Sequence, residues 1–390
     1  MTESAHRITV EKLIAGGQGL ARLDDGRVVF VPAVVPSEVV DIEVTQREND
    51  FARASLVNVV TASPYRRTPP CPHVAAGCGG CDWQHIDADH QGGLKVEIVK
   101  EAFARTAKLH PDVALVPPLP VSARRTTVRM VATPAGSLAF HESQSSDIVP
   151  VDRCLVAHDL INDLLKRPLL KGEGEVTIRV GARTGDVAVE CHAGELVDDL
   201  PSHVRKGKKA RITEEVHGHS FQVSMPSFFQ NSPEAAESIA DSIAHIFDVF
   251  EVSGGVLVDA YGGVGLFAKL FADRFSEVVV VEGNATSCRD ALVNLDGCAA
   301  QIFESPVEQW RATPADVVIS DPSRSGLGKG GVRALAHTGA SLIVLVSCDA
   351  VAAARDASLF VAQGYALHHV EVLDLFPETH HIEVVSVFTR

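Results

Sequence analysis

Two residues near the carboxyl end of the chain are of the types used for nucleophilic and general-base catalysis. Cys348 lies in VSCDA, directly after the apolar run 342–346, and Glu383 precedes the apolar run of the last predicted strand. A lone cysteine is more often a packed apolar residue. This one, however, lies where a strand gives way to a helix, and a helix N-terminus favours the thiolate. Glu383 is either a solvated acid at a sheet edge or a base directed into a cleft.

Residues 257–282, which read LVDAYGGVGLFAKLFADRFSEVVVVE, predict a nucleotide-binding βαβ unit. Gly262, Gly263 and Gly265 follow a buried strand and lead into a helix. Glu282 ends the next strand, where a carboxylate can accept both hydroxyls of a ribose. The G-G-x-G spacing favours a ligand without a pyrophosphate, so S-adenosylmethionine fits better than NAD. A glycine turn in another kind of α/β domain is the alternative.

Two more polar residues flank this unit. Asp321 ends the buried strand 316–320, and ligands of open α/β sheets bind outside the carboxyl ends of the strands. We therefore expect Asp321 to face the site. Gln230 precedes a helix that Asn231 or Ser232 caps, with Pro233 in its first turn. Its amide either binds a ligand or braces a turn, and the pattern alone favours the turn.

A thiol, a carboxylate and S-adenosylmethionine together indicate one chemistry. Carbon 5 of uracil is a poor nucleophile, but a thiolate that adds to carbon 6 makes it an enolate carbon able to attack a sulfonium methyl. A base then removes the carbon-5 proton, and the thiol is eliminated. The target base must also leave its stack to reach such a site.

Three further cysteines, in CPHVAAGCGGCDWQH, have the spacing of a metal centre. Cys71, Cys78 and Cys81 form C-x6-C-x2-C in a glycine-rich loop. Zinc and iron–sulfur clusters both accept four cysteines, and Cys154 in VPVDRCLVAH is the best candidate for the fourth ligand. Without a flavin or radical motif, the sequence favours a structural centre over a redox catalyst.

The remaining sequence predicts three domains around these residues. Residues 1–62 contain short alternating strands separated by glycine turns, as in a small oligonucleotide-binding barrel. Residues 63–225 hold the cysteine loop and a mostly antiparallel central domain, and residues 226–390 hold the parallel α/β unit. The predicted fold class is therefore α/β, with a Rossmann-like C-terminal domain, a β-barrel at the N-terminus and an antiparallel domain between them.

Composition narrows the protein class. Among 390 residues, 46% are hydrophobic and the formal net charge is −15, which argues against a general nucleic-acid coat protein. The sequence has no run of about 20 apolar residues and begins without a signal peptide, so we expect a cytoplasmic monomer without a membrane partner. Two basic groups stand out, and each is either a solvated face or a phosphate-contacting surface. They are Arg124, Arg125 and Arg129, and Arg205, Lys206, Lys208, Lys209 and Arg211.

Over nearly its full length the chain resembles the RNA 5-methyluridine methyltransferases, which modify uridines in tRNA or 23S ribosomal RNA. The resemblance rests on the TRAM-like segment GGQGLARLDDGRVVFVPAVVPSEVV, the cysteine loop, FFQNS, LVDAYGGVGLFA, SDPSRSGLG, VSCDA and HHIEVVSVF. It implies that Cys348 is the nucleophile and Glu383 the base. The implied S-adenosylmethionine ligands are Gln230, Tyr261, Glu282 and Asp321. The implied [4Fe–4S] ligands are Cys71, Cys78, Cys81 and Cys154.

Three positions depart from the family pattern. Ser323 replaces the second proline of D-P-P-R, Ala350 replaces the proline that ends the nucleophile motif, and Gly262 replaces a cysteine or similar residue. None removes a functional group, so we expect the protein to be active. We expect the two loop changes, Ser323 and Ala350, to affect the rigidity of their loops and hence the rate.

Two other classes compete with an RNA uracil-C5 methyltransferase. One is an RNA-binding or chaperone-like protein of the same fold without turnover, against which the Cys348 and Glu383 pair argues. The other is a methyltransferase for proteins or for base amines, which typically carries an N-P-P-Y loop that this sequence lacks. The TRAM-like segment favours ribosomal RNA over tRNA as the expected target.

Overall fold

The N-terminal segment folds as a six-stranded sheet. In the computed structural model, which describes residues 6–122, 124–143 and 145–390, its strands are β1 (His6–Thr9), β2 (Lys12–Leu13), β3 (Gly19–Arg22), β4 (Val28–Val31), β5 (Val39–Arg47) and β6 (Phe51–Thr61). They lie in the order β1-β5-β6-β4-β3-β2, and all neighbours are antiparallel except β4 and β6. Alternating residues such as Val29, Val31, Val40 and Ile42 are fully buried and form its core, as the period of two predicts.

The cysteine loop leads into a long helix that packs on the C-terminal half. The elements are α1 (Pro72–Ala75), α2 (Ala88–Ala102), a π-helical turn (Phe103–Ala107) and β7 (Val113–Val116). The side chain of Asp87 caps α2 by accepting a hydrogen bond from Asp89 N. Ile98, Val99 and Phe103 are buried against apolar residues of the C-terminal half. This segment therefore shares an apolar core with the C-terminal half of the chain.

The middle of the chain forms a second six-stranded sheet and a separate hairpin. Its elements are β8 (Thr127–Ala132), β9 (Leu138–His141), β10 (Ile148–Pro150), α3 (Asp159–Leu165), β11 (Gly174–Val180), β12 (Val187–Ala193), β13 (Val204–Lys206), β14 (Arg211–Val216) and β15 (His219–Ser224). The order is β10-β9-β8-β11-β12-β13, with only β12 and β13 parallel, and β14 pairs with β15. Helix α3 packs Ile161 and Leu164 on Val176 and Ile178. The predicted mostly antiparallel arrangement is confirmed.

The C-terminal half forms an eight-stranded sheet with helices on both faces. Its elements are α4 (Pro233–Val249), β16 (Val256–Ala260), α5 (Leu266–Phe271), β17 (Glu277–Glu282), α6 (Ala285–Asn294), β18 (Ala300–Glu304), β19 (Val317–Ser320), α7 (Gly328–Ala336), β20 (Leu342–Ser347), α8 (Ala350–Ala362), β21 (Ala366–Leu373) and β22 (Glu383–Thr389). Short 3-10 turns cover Ala272–Arg274 and Val307–Gln309. The strand order is β18-β17-β16-β19-β20-β22-β21-β7.

The large sheet is parallel from β18 to β20 and reverses direction at β22. Alternate residues of β20 enter opposite cores: Ile343 and Leu345 pack on one face, Val344 and Val346 on the other. This burial on both faces explains why the strand reads as a continuous apolar run.

Strand β7 joins this sheet by pairing in parallel with β21, although the sequence analysis placed its residues in the central domain. The boundaries at 62/63 and 225/226 stay predictions. None of the helices in the described ranges is long and apolar enough to span a membrane.

Candidate active site

All six predicted catalytic and cofactor-binding residues line one cavity of about 570 Å³ at one edge of the large sheet. They are Gln230, Tyr261, Glu282, Asp321, Cys348 and Glu383. Strands β16, β17, β19 and β20 run in parallel, so their carboxyl ends meet at this edge. Strand β22 is antiparallel and begins here. The topology therefore brings together residues that are far apart in the sequence.

The glycine turn after β16 is tightly packed. Tyr261 has a φ of 58°, a left-handed conformation that is uncommon for a bulky residue and is found at ligand sites. A Cβ on Gly262 would lie 2.8 Å from Cγ1 of Val280 and 3.0 Å from the carbonyl oxygen of Asp259. The turn therefore has no room for a side chain at position 262 unless Val280 or the backbone of Asp259 shifts.

Glu282 holds this turn against the next loop. Its carboxylate accepts a hydrogen bond from Gly263 N at 2.9 Å and another from Asn284 N at 2.6 Å. The Asn284 side chain in turn caps α6 by accepting from Thr286 N and Ser287 N. Asn284 and Ser287 also line the cavity, although the sequence analysis did not single them out.

A buried carboxylate supports the turn from below. Asp259 is fully buried, and its Oδ2 accepts a hydrogen bond from Ala268 N at 2.9 Å in helix α5. Burial, followed by the charges of Asp321 and Glu282, raises its pKa to about 7. Asp259 therefore fixes the position of α5 relative to β16 without lining the cavity.

Gln230 and Asp321 contact each other across the cavity. Gln230 Nε2 donates a hydrogen bond to Asp321 Oδ2 at 3.0 Å. Burial raises the pKa of Asp321 to about 7, and the hydrogen bond from Gln230 opposes that rise. The sequence pattern favoured a role for this amide in bracing a turn, but the amide contacts a polar side chain of the site. Ser232 is the N-cap of α4.

Cys348 and Glu383 lie opposite each other. The last pair of the β20–β22 ladder is Ser347 with Val384, and Cys348 and Glu383 are the next residues outward on the two strands. Both side chains line the same cavity, and the charge of Glu383 raises the pKa of Cys348. The register therefore brings the predicted nucleophile and the predicted base together.

The expectation of a helix-stabilised thiolate is wrong for the free protein. Burial, and then the charges of Glu383 and Asp321, raise the pKa of Cys348 to about 11. The N-terminus of α8 is already capped by Asp349, whose carboxylate accepts from Ala352 N at 2.8 Å. The helix end is thus satisfied by its own cap, while two strands bring carboxylates to the thiol. Burial and the charge of Asp321 also raise the pKa of Glu383 well above its ordinary value.

Arg324 is the cation that opposes this effect on the thiol. Its charge lowers the pKa of Cys348, and its Nη2 lies 2.8 Å from Nδ1 of His381. Burial, with the charges of His380 and Arg324, lowers the pKa of His381 to about 4, so a neutral ring can accept the hydrogen bond from Arg324. Both residues line the cavity. Sequence reasoning did not find their contact; the only signal was an arginine in the SDPSRSGLG loop.

The four predicted metal-binding cysteines line a different cavity, together with Arg125 and apolar residues that include Phe140 and Val151. All eight cysteines of the chain are free thiols. Within the described ranges, no group of three or more His, Cys, Asp or Glu side chains could hold a metal ion. The cavity nevertheless brings the four cysteine side chains together, with His73 and without a carboxylate. Four thiols are the ligand type of an iron–sulfur cluster, but the structure does not show the predicted metal site, which stays a prediction.

The first basic group, by contrast, does not form one surface. Arg124 is buried and donates to the carbonyl oxygens of Pro120 and Pro377. Arg125 lines the cysteine cavity, and Arg129 forms an ion pair with Glu175. Their proximity in the sequence is therefore not proximity on the surface.

Comparison with known proteins identifies the family. A TRAM domain model matches residues 4–57. An uncharacterized RNA methyltransferase of Streptomyces avermitilis is 30% identical over 98% of this chain and 97% of its own length. One from Streptomyces coelicolor is 31% identical over 98% of this chain and 92% of its own length. This chain belongs to the RNA methyltransferase family.

A solved structure shows the same fold. It is the crystal structure of the Pyrococcus abyssi tRNA (uracil-54, C5)-methyltransferase in complex with S-adenosyl-L-homocysteine. The match spans 98% of this chain and 99% of that chain, with a TM-score of 0.77 and 23% sequence identity. The predicted fold class, an α/β protein with a Rossmann-like C-terminal domain and a small TRAM-like β-barrel at the N-terminus, is confirmed.

In this RNA methyltransferase, the cysteine loop is bonded to the segment that precedes Glu383. Trp83 N donates to the carbonyl oxygen of Glu378 at 3.0 Å, and Arg67 Nη2 lies 2.5 Å from both carboxylate oxygens of Glu378. His380 contacts Asp82 through both its backbone and its ring. Glu378 is buried with a φ of 72°, so this segment is held in a strained conformation. The first half of the chain therefore positions residues of the catalytic edge.

Proposed function

We propose that this RNA methyltransferase methylates carbon 5 of a uridine in structured RNA through a covalent adduct between Cys348 and carbon 6. The observation that carries the proposal is the placement of Cys348 opposite Glu383 in one cavity with Asp321 and Gln230. Methylation of an exocyclic amine needs no nucleophilic thiol, whereas carbon 5 needs one.

The side chains can move both the electrons and the protons that the reaction requires. As the sulfur of Cys348 bonds to carbon 6, the 5,6 π electrons form an enolate that attacks the methyl group. Glu383 then accepts the carbon-5 proton, and the electrons of that C–H bond re-form the double bond and expel the thiolate. Because the free thiol has a pKa of about 11, it must lose its proton as it adds. The charge of Asp321 also raises the pKa of Cys348, so its carboxylate lies near the thiol and can accept this first proton, which leaves Glu383 free for the carbon-5 proton.

For the methyl donor, we propose S-adenosylmethionine bound by Gln230, Tyr261, Glu282 and Asp321. This molecule supplies an electrophilic methyl group. Glu282, at the end of β17 beside the glycine turn, is suited to accept the two ribose hydroxyls. The positive φ of Tyr261 and Gly263 lets the backbone approach a ligand closely.

For the cysteine cavity, we propose a structural [4Fe–4S] cluster held by Cys71, Cys78, Cys81 and Cys154. Such a cluster would cross-link the loop at residues 71–81 to the central sheet through Cys154. No step of the methyl transfer requires it. Its contribution would be to fix Asp82 and Trp83, which contact the segment before Glu383.

The test is to map 5-methyluridine in RNA from a strain that lacks this gene. We expect one 5-methyluridine, in tRNA or 23S ribosomal RNA, to disappear and to return with the wild-type gene but not with a gene encoding Cys348→Ala. The position of the lost signal identifies the target RNA. An unchanged 5-methyluridine map would contradict the proposal, and so would restoration by Cys348→Ala.

A further inference from the structure

The turn between β13 and β14 carries four exposed cations without counterions. Lys206, Lys208, Lys209 and Arg211 are all exposed, and none has an ion-pair partner within the described ranges. Arg205, the fifth cation of this sequence group, differs because it pairs with Asp186 at 2.6 Å. In a chain with a net charge of −15, a group of cations without counterions differs from the rest of the surface and can attract an anionic partner.

This turn is hydrogen-bonded to the segment that leads into the lining of the catalytic cavity. Arg211 pairs with Ser224 in the β14–β15 hairpin, and Met225 N donates to the carbonyl oxygen of Ala210 at 3.0 Å. Pro226, the residue after Met225, lines the catalytic cavity, so the turn adjoins a segment that borders the site. Two residues further on, Phe228 also lines the cavity and is 69% exposed. The cations and this exposed aromatic ring thus lie on neighbouring segments beside the site.

We propose that Lys206, Lys208, Lys209 and Arg211 bind phosphates of the RNA strand next to the target nucleotide. This inference rests on the proposed function for its substrate class. An RNA whose target base has left its stack must pass its backbone over the cavity mouth, and that backbone is a line of negative charges. Unpaired lysines beside the site attract it without reading sequence and give binding that weakens with salt. An acidic peptide or an anionic membrane would meet the same charges but has no reason to reach the catalytic cavity.

The test compares two double variants with the same loss of charge. Lys208→Gln/Lys209→Gln removes two unpaired cations of the turn. The control, Lys166→Gln/Lys171→Gln, removes two exposed cations of the same central region that already pair with Asp163 and with Glu195 and Asp198. Binding of a labelled RNA hairpin with uridine in its loop is measured by fluorescence anisotropy over a series of salt concentrations.

We expect the turn variant to bind RNA about 10-fold more weakly at low salt, with a slope of log K against log salt shallower by about 1.4–1.8. The control should keep the wild-type affinity and slope, and both variants should bind S-adenosylmethionine as the wild type does. An unchanged slope in the turn variant would overturn the inference, as would an equal change in the control. So would a loss of binding to phosphatidylserine vesicles or polyglutamate without a change in RNA binding.

This readout is separable from the proposed function. If the turn variant shows the predicted salt dependence but the wild type forms no 5-methyluridine, the surface is supported and the chemistry fails. If the wild type forms 5-methyluridine and the turn variant binds RNA normally, the surface fails and the chemistry is supported.

Discussion

Replacing Glu282 by alanine should weaken binding of S-adenosylmethionine about 10- to 100-fold. The carboxylate accepts hydrogen bonds from Gly263 N and Asn284 N at 2.9 and 2.6 Å, and an ionised carboxylate has about four acceptor sites, so it retains capacity for ribose hydroxyls. A hydrogen bond to a charged group contributes about 1.5–3 kcal/mol, and each 1.4 kcal/mol is a factor of about ten in Kd.

Isothermal titration calorimetry of the purified protein measures this loss directly. Glu304→Ala is the matched control, because Glu304 lies beside Glu282 on the same rung of β18 but is exposed and outside the cavity lining. Glu282→Gln keeps one acceptor oxygen and should lose about 10-fold, at the low end of the range. If Glu282→Ala binds as tightly as Glu304→Ala, the assignment of the ribose site to the end of β17 is wrong.

Three further predictions concern the paired carboxylates, the cysteine cavity and a buried ion pair. Burial, and then the charge of Asp321, raise the pKa of Glu383, so Asp321→Asn should lower that pKa. At saturating methyl donor, the acidic limb of the single-turnover pH–rate profile should therefore move to lower pH. If that limb does not move, the two carboxylates are not coupled. Anaerobically purified wild type should contain about four iron and four sulfide ions per chain. Cys78→Ala should lose them, whereas the control Cys191→Ala, which lies outside the cysteine cavity, should keep them. Stoichiometric zinc in the wild type would argue against the cluster. Lys95 Nζ lies 2.6 Å from Asp374 Oδ1, and both side chains are fully buried. Lys95→Met should therefore lower the free energy of unfolding, measured in urea, by about 3–5 kcal/mol, and Lys95→Met/Asp374→Leu should recover most of that loss. Equal losses in the two variants would contradict an uncompensated buried charge as the cause.

The sheet edge that carries the site could be predicted from the sequence because its signals are local. Glu282, Asp321 and Cys348 each follow an apolar run, and the carboxyl ends of parallel strands meet at one edge. Glu383 could be placed only as an acid at a strand start. Its position opposite Cys348 depends on the antiparallel register of β22, which local patterns do not specify.

The electrostatics could not be predicted because they arise from residues distant in the sequence. The helix after Cys348 suggested a thiolate, yet carboxylates from β22 and from the end of β19 raise the pKa of the thiol. Arg324 and His381, whose contact orients the opposing charge, are 57 positions apart. The same holds for β7, which joins the large sheet through β21 and carries no sequence signal for that partner.

Trapping the covalent adduct tests the central claim most directly. Cys348 forms the bond to carbon 6, and Glu383 acts only after methyl transfer, so Glu383→Gln should add the thiolate, move the methyl group and then stall. Loss of a general base commonly slows its step by about 10²–10⁴, which is enough for the intermediate to accumulate. Target RNA transcribed with 5-fluorouridine should trap the wild type in the same way, because fluorine cannot leave as a proton does.

The measurement is denaturing electrophoresis after incubation with target RNA and S-adenosylmethionine labelled in the methyl group. We predict a protein–RNA band that carries the label for Glu383→Gln and no such band for Cys348→Ala or for the variant with both changes. Normal turnover by Glu383→Gln would assign the base to another group, with His381 in the cavity the next to test. Methylated RNA from Cys348→Ala would contradict the covalent mechanism altogether.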